Sequence, residues 1–221
     1  MAYIIAGLGN PGEEYKDTRH NTGRMMLYAL AKEMGADAKG DGAGFKFDKK
    51  INALVVSGEI GKGKSAESVK LVAPETFMNK SGSALIPLVG QVVGGPTSAT
   101  AKSVLKKAEK LIVIYDDFNL PMGSIRVSFN RSSGGHNGLE SIIKSLKTEA
   151  FVRVRVGVAP AKANGLAKVP HGEKEIEKFI LGKFKPTEVP EIKKVTKNVI
   201  GAIETIVTES REKAMSIYNA G

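Results

Sequence analysis

Six short apolar segments recur along the chain, separated by polar loops and helix-patterned stretches, and this alternation most restricts the folds open to it. They cover residues 3–6, 51–57, 69–73, 111–115, 125–129 and 152–158. Strands that alternate with helices build a mainly parallel or mixed sheet covered on both faces. In the last segment Val152, Val154, Val156 and Val158 alternate with Arg153, Arg155 and Gly157, so one face is apolar and the other carries two arginines. Helices are expected near 21–34, 81–93 with a possible kink at Pro87, 138–146, 173–180 and 191–218. The first has Asn21 or Thr22 as N-cap, Met26, Leu30 and Met34 on one face, and Gly35 past its end. In the last, Ile192, Val195, Val199, Ile203 and Ile206 form a stripe that suits a core.

The 221 residues suffice for one well-buried domain, expected to span 1–221, and no linker divides them. Mobile or inserted surface segments are expected near 58–68, 94–110 and 160–172. Without cysteine there is neither disulfide nor thiolate chemistry. The apolar runs fall far short of a membrane span and the N-terminus lacks a secretory pattern, so no membrane association and a cytoplasmic location are expected. The net charge of +10 favours a polyanionic partner, such as RNA or an anionic membrane surface, beside the blander reading of a solvated basic surface. It is spread evenly: residues 1–110 carry 16 basic and 11 acidic side chains, residues 111–221 carry 17 and 12.

Two glycine motifs imitate nucleotide loops. Gly7, Gly9 and Gly12 satisfy G-x-G-x-x-G after a strand, but Glu13 and Glu14 stand where an anion would lie and helical periodicity starts only after His20. Residues 58–65, GEIGKGKS, match G-x-x-x-x-G-K-[ST], and LIVIYD ends in an aspartate that could hold Mg²⁺. A phosphate-binding loop needs a helix after its lysine, whereas Ser65 is followed by AES and then the strand-like VKLVA, which reads as a basic hairpin tip. An NTPase is the weaker alternative.

Four polar clusters flank the apolar strands: GLGNPGEEYKDTRHN (7–21), PETFMNKSG (74–82), YDDFNLPMG (115–123) and SGGHNGL (133–139). Together, and with FVRVRVGV, they resemble bacterial-type peptidyl-tRNA hydrolases over nearly the whole chain. The resemblance implies a single-domain three-layer α/β/α sandwich with a mixed, mainly parallel twisted sheet, usually monomeric. It also implies cleavage of the ester between a peptide and the terminal ribose of tRNA, at the acceptor end.

Ester hydrolysis needs a base that deprotonates water, and histidine titrates nearest neutral pH. By the resemblance His20 is that base, and Asp116 fixes its tautomer and stabilises the imidazolium. No G-x-S-x-G elbow and no cysteine support a covalent intermediate. Matching positions imply that Asn79 and Asn137 hold the peptide main chain and the surroundings of the water, and that Asn10 tells a blocked amino group from a free one. Tyr15 and Phe77 match positions near the tRNA end, and Met78 lines the same cleft, although Phe77 and Met78 could equally pack in the core. His136 supports Asn137, and His171 is solvated. Three histidines without cysteine or a short His spacing give no metal site, and the reaction needs no cofactor.

Arg155, and less directly Arg126 and Arg131, lie where the family clamps tRNA phosphate. Ser128 stands where lysine is frequent, which moves the clamp toward Arg126 or Arg131, and Asn119 replaces a commonly acidic residue. The rival from another functional class is a non-catalytic RNA-binding relative that keeps the fold.

Overall fold

The computed structural model describes residues 2–37, 39–93 and 98–220. Seven strands, β1 (Tyr3–Gly7), β2 (Lys46–Asp48), β3 (Ala53–Ile60), β4 (Glu67–Pro74), β5 (Leu111–Pro121), β6 (Ile125–Phe129) and β7 (Val152–Ala159), form one sheet in the order β2-β3-β4-β1-β5-β7-β6. The central strands β4, β1, β5 and β7 run parallel, and β2, β3 and β6 complete the edges antiparallel. Helices α1 (Thr22–Glu33), α2 (Ser81–Val89), α3 (Ala99–Ala108), α4 (Asn137–Leu146), α5 (Glu173–Ile180), α6 (Val189–Thr208) and α7 (Arg211–Tyr218) accompany it.

Two apolar cores lie on opposite faces, which gives the expected three layers. Met26, Leu27 and Leu30 of α1 and Val195, Val199 and Ile203 of α6 pack on Ile5, Ile112 and the valines of β7. On the other face Ala84 and Leu85 of α2, Val104 of α3 and Leu139, Ile142 and Leu146 of α4 cover Ala6, Val72 and Val113. Among the described residues no helix is long and apolar enough to cross a membrane.

Several expectations need correction. The 98–110 part of the segment expected to be mobile is α3: Ser98 Oγ accepts from the Ala101 N–H at 3.1 Å, and Ala101, Val104 and Ala108 are buried. Its apolar face is built from small residues, so its composition reads as a loop; residues 94–97 lie outside the described residues. The C-terminal helix is two, because Glu209 leaves helical geometry and Ser210 Oγ caps α7 through Lys213 N–H. Helix α2 stops at Val89, where Gly90 takes φ 93°. The short edge strand β2 was missed, since three residues show no alternation.

The tip at 61–66 joins β3 to β4 as a hairpin, the motif lysine Lys64 lies within the single 3-10 turn Gly63–Ser65, and strand β4 follows it, so the nucleotide-loop reading falls for want of a helix. Residues 160–168 form a small closed loop held by Ala161 pairing with Ala167 and by Lys168 N–H on Pro160 O at 2.7 Å.

Strand β1 sits where the connections diverge: the chain leaves it toward β4 on one side and later reaches β5 on the other. The crevice beyond the carboxyl ends of such strands is where open α/β sheets bind ligands.

Candidate active site

All four polar clusters meet at that crevice. The glycines that imitate a dinucleotide loop serve packing instead. A Cβ on Gly7 would lie 2.5 Å from Gly23 O, and one on Gly23 would lie 2.2 Å from Ile114 O, so both must be glycine for α1 to press against β1 and β5. That close approach brings His20, in a 3-10 turn (Arg19–Asn21) directly before α1, over Asp116 in the middle of β5.

His20 Nδ1 lies 3.0 Å from both oxygens of Asp116. Both side chains are almost wholly buried. Burial opposes a charged imidazole, but the Asp116 charge and hydrogen bond outweigh it and raise the His20 pKa above the ordinary histidine value. Burial likewise opposes the carboxylate, yet the His20 charge and the hydrogen bonds from His136 and His20 hold Asp116 well below the ordinary carboxylate range. With Nδ1–H donated to Asp116, the lone pair of His20 is on Nε2, which has no hydrogen bond among the described residues.

His136 does more than support Asn137. Its Nδ1 caps α4, accepting from the backbone N–H groups of Gly138 and Leu139 at 3.2 and 3.3 Å. Its proton is therefore on Nε2, which donates to Asp116 Oδ1 at 3.2 Å. The edge of its ring meets buried Tyr115 at a centroid distance of 4.8 Å. His20 Nδ1, an Asp116 oxygen and His136 Nε2 thus lie within 4.8 Å of one another, a donor set that suits zinc by type. Sequence spacing gave no sign of this convergence. A metal on His136 Nε2 would, however, leave a proton on Nδ1 pointing at two N–H donors of α4, so this cluster is arranged for protons.

Asn10 is held twice over. Its backbone N–H donates to Asn21 Oδ1 at 2.8 Å, and Asn21 Nδ2 donates back to Asn10 O at 2.9 Å. Of the two expected caps, Asn21 and Thr22, Asn21 stands at the N-cap position of α1, but its side chain makes no cap bond among the described residues and closes this ring instead. Asn10 Oδ1 accepts from the Met78 N–H at 2.8 Å, which fixes the amide and leaves Nδ2 as a free donor among the described residues. Arg24 of α1 supports the same wall, reaching Glu75 Oε1 at 2.7 Å and the Pro74 carbonyl at the end of β4.

Two cavities open on His20. One, of about 430 Å³, is lined by Asn10, Tyr15, Phe77, Met78, Asn79 and Asn137, so the structure brings together every substrate residue expected from sequence. Phe77 is 55% exposed, edge-on to Tyr15 at 6.3 Å, which rules out core packing for it. Met78 is both a core residue and a cavity wall. The other cavity, of about 540 Å³, runs past His136 and Phe118 toward Glu173 and Ile176 of α5. His171 is exposed.

A third, smaller cavity of about 160 Å³ lies beside Asp116 and holds Arg131, Arg153, Arg155 and Ser128. Strands β6 and β7 pair Arg126 with Arg155 and Ser128 with Arg153, so all four project from one face. Exposed Arg126 is not part of its lining. Arg155 is already paired, its Nε 2.7 Å from Asp117 Oδ2. Arg153, which the sequence reading passed over as one half of an alternation, is the unusual member. It is 0% exposed, stacks on Phe151 at 4.3 Å and donates Nη2 to Arg131 O, but its Nε and Nη1 are buried without a partner among the described residues, as is Ser128 Oγ.

A family model described as peptidyl-tRNA hydrolase matches residues 4–221. A protein of that name from Bacillus subtilis is 36% identical over 217 residues, covering 98% of either chain. Another, from Thermoanaerobacter sp. strain X514, is 37% identical and covers 98% of this chain and 99% of its own. The crystal structure of peptidyl-tRNA hydrolase from Acinetobacter baumannii superposes with a TM-score of 0.76 at 26% identity, over 99% of this chain and 95% of that one. This chain belongs to the peptidyl-tRNA hydrolase family.

Proposed function

We propose that His20 is the general base with which this chain hydrolyses the ester bond of peptidyl-tRNA. The observation that carries the reading is the orientation of His20 by Asp116, which leaves its Nε2 lone pair at the junction of two cavities. A water there gives a proton to Nε2 while its oxygen attacks the ester carbonyl carbon. The tetrahedral intermediate then expels the ribose oxygen, which takes the same proton back from the imidazolium. Asp116 stays ionised throughout and stabilises the imidazolium. No covalent enzyme intermediate is needed.

The amides of Asn79 and Asn137, neither engaged elsewhere among the described residues, face the same cavity and suit the peptide main chain and the tetrahedral oxygen. Asn10 Nδ2 can donate to the carbonyl of a blocked amino group, but offers nothing to a free ammonium, which is itself only a donor. Phosphate of the tRNA suits the third cavity, where Arg153 and Ser128 hold donors unpaired among the described residues and exposed Arg131 adds a positive charge. Arg155, neutralised by Asp117, shapes that site more than it charges it. The test is release of N-acetylamino acid from N-acetylaminoacyl-tRNA: wild type should turn over, and His20→Ala should lose about 10²–10⁴-fold in kcat. An inactive wild type or a fully active variant would refute the mechanism.

A further inference from the structure

The geometry points to Arg19, the residue before the proposed base, as a positioning residue that holds α5 over the reaction site; this rests on the assignment of His20. Helix α5 has no buried residue, so its own packing cannot fix where it lies. It nevertheless walls both cavities that open on His20: Glu177 and Ile180 line each of them. What ties α5 down is its exit, and the tie runs to the segment that carries His20.

Three kinds of bond make that tie. Along the backbone, Arg19 N–H donates to Gly182 O at 3.0 Å and Phe184 N–H to Asp17 O at 3.2 Å, with Thr18 bridged to Lys183. Through the side chain, Arg19 Nη1 donates to the carbonyls of Gly182 and Lys183 at 3.2 and 3.0 Å, just beyond the end of α5, where a helix presents its negative pole. Arg19 Nη2 reaches Glu188 Oε2 at 2.7 Å, and the same oxygen accepts from Lys185 N–H at 2.7 Å. The guanidinium also lies 4.6 Å from the Phe179 ring centroid and 5.2 Å from that of Phe184.

Arg19 is only 5% exposed, and the partners of its Nη1 and Nη2 all lie in residues 182–188, while its buried Nε has none among the described residues. Lysine could keep the pairing with Glu188 but lacks the planar fork that also holds two carbonyls between two aromatic rings. Loosening the tie should let α5 move from the cavities and admit bulk water beside His20, a misplacement of the kind that costs activity steeply.

The experiment compares wild type with Arg19→Lys, Arg19→Ala and Glu188→Gln. It measures kcat and KM for N-acetylaminoacyl-tRNA, affinity for deacylated tRNA, and amide hydrogen exchange. We expect Arg19→Lys to lose about tenfold in kcat/KM while amides of α5 exchange at least about tenfold faster. Exchange in β1 and β5, and the affinity for deacylated tRNA, should stay as in wild type. Glu188→Gln should move the same quantities less, and free guanidinium should partly restore Arg19→Ala. If Arg19→Ala does not fold, Arg19→Lys and Glu188→Gln carry the test. The proposal is overturned if these variants keep wild-type kcat/KM, if activity falls with α5 exchange unchanged, or if exchange rises evenly through the core strands. The exchange comparison needs no turnover, so its failure is separable from failure of the His20 assignment.

Discussion

His136 Nε2 donates a 3.2 Å hydrogen bond to Asp116 Oδ1, and its direction is set from outside the pair by the backbone N–H groups of α4 that occupy His136 Nδ1. Asp116 therefore accepts hydrogen bonds from two imidazoles. Only one of them, His20, can accept a further proton without breaking a helix cap. The division of labour follows: His136 holds the carboxylate, and His20 carries the charge.

Removing the cap and the hydrogen bond separately should distinguish these roles. His136→Asn keeps an N-cap residue but its shorter side chain should not reach Asp116, so stability should be nearly unchanged while kcat falls about tenfold. His136→Ala should lose the same activity and a further ~1 kcal/mol of stability through the uncapped α4. Denaturant unfolding and turnover on both variants check this. Equal stability of the two variants would remove the capping role.

The raised pKa of His20 sets the sign of the pH dependence. The base must be unprotonated, so activity should rise with pH through a pKa above the ordinary histidine value, and be lost below it. Asp116→Asn removes the charge that raises this pKa while burial still lowers it. The acid limb of kcat/KM should then move to lower pH, even as the maximal rate drops, because an amide can present the wrong group to Nδ1. A pH profile of both proteins decides the point, and an acid limb that stays put would exclude His20 as its origin.

Much of this was legible in sequence because the relevant signals are local. Short apolar runs marked every long strand, and the polar clusters at strand ends, through the family resemblance they carry, pointed to His20, Asp116 and the asparagines. What sequence could not show are relations across distance. His136 and His20 lie 4.8 Å or less from a shared carboxylate although turns, strands and helices separate them in the chain. Local order suffices to mark Asn21 or Thr22 as the cap of α1, and Asn21 holds that position, while the bond of its side chain to Asn10 depends on how α1 meets β1. Arg153 looked like the polar half of an alternating strand. Its burial is set by β6 and the 131–133 segment, which fold over it.

That burial makes Arg153 informative in a stability assay. A buried charge without a counter-ion costs free energy, and replacing one by an apolar side chain of similar volume is often neutral or stabilising. Arg153→Met should therefore unfold at the same or higher denaturant concentration than wild type. If the third cavity takes phosphate, the same variant should bind tRNA more weakly and reduce the salt dependence of log K by about 0.7–0.9. Arg126→Met, outside that cavity, should change the affinity less. Lower stability together with unaltered tRNA binding would assign Arg153 a purely structural role.

Asn10 offers the sharpest test of how a blocked amino group is recognised. Its Oδ1 is committed to the Met78 N–H, so the cavity sees only the Nδ2 donor. Asn10→Asp keeps an oxygen for Met78 and places a second oxygen where the donor was, with almost no change in shape. The backbone N–H favours the ionised form, so the new group is an acceptor with negative charge. It should repel the carbonyl of N-acetylaminoacyl-tRNA and attract the ammonium of free aminoacyl-tRNA. A site built around one hydrogen bond discriminates strongly when its partner is wrong. We expect kcat/KM for the N-acetylated substrate to fall by about 10–100-fold while that for the free aminoacyl ester holds or rises, so the ratio of the two narrows. Asn10→Ala, which offers neither donor nor charge, should lower the first without raising the second. If both variants preserve the wild-type ratio, discrimination against the free amino group arises elsewhere in the cleft.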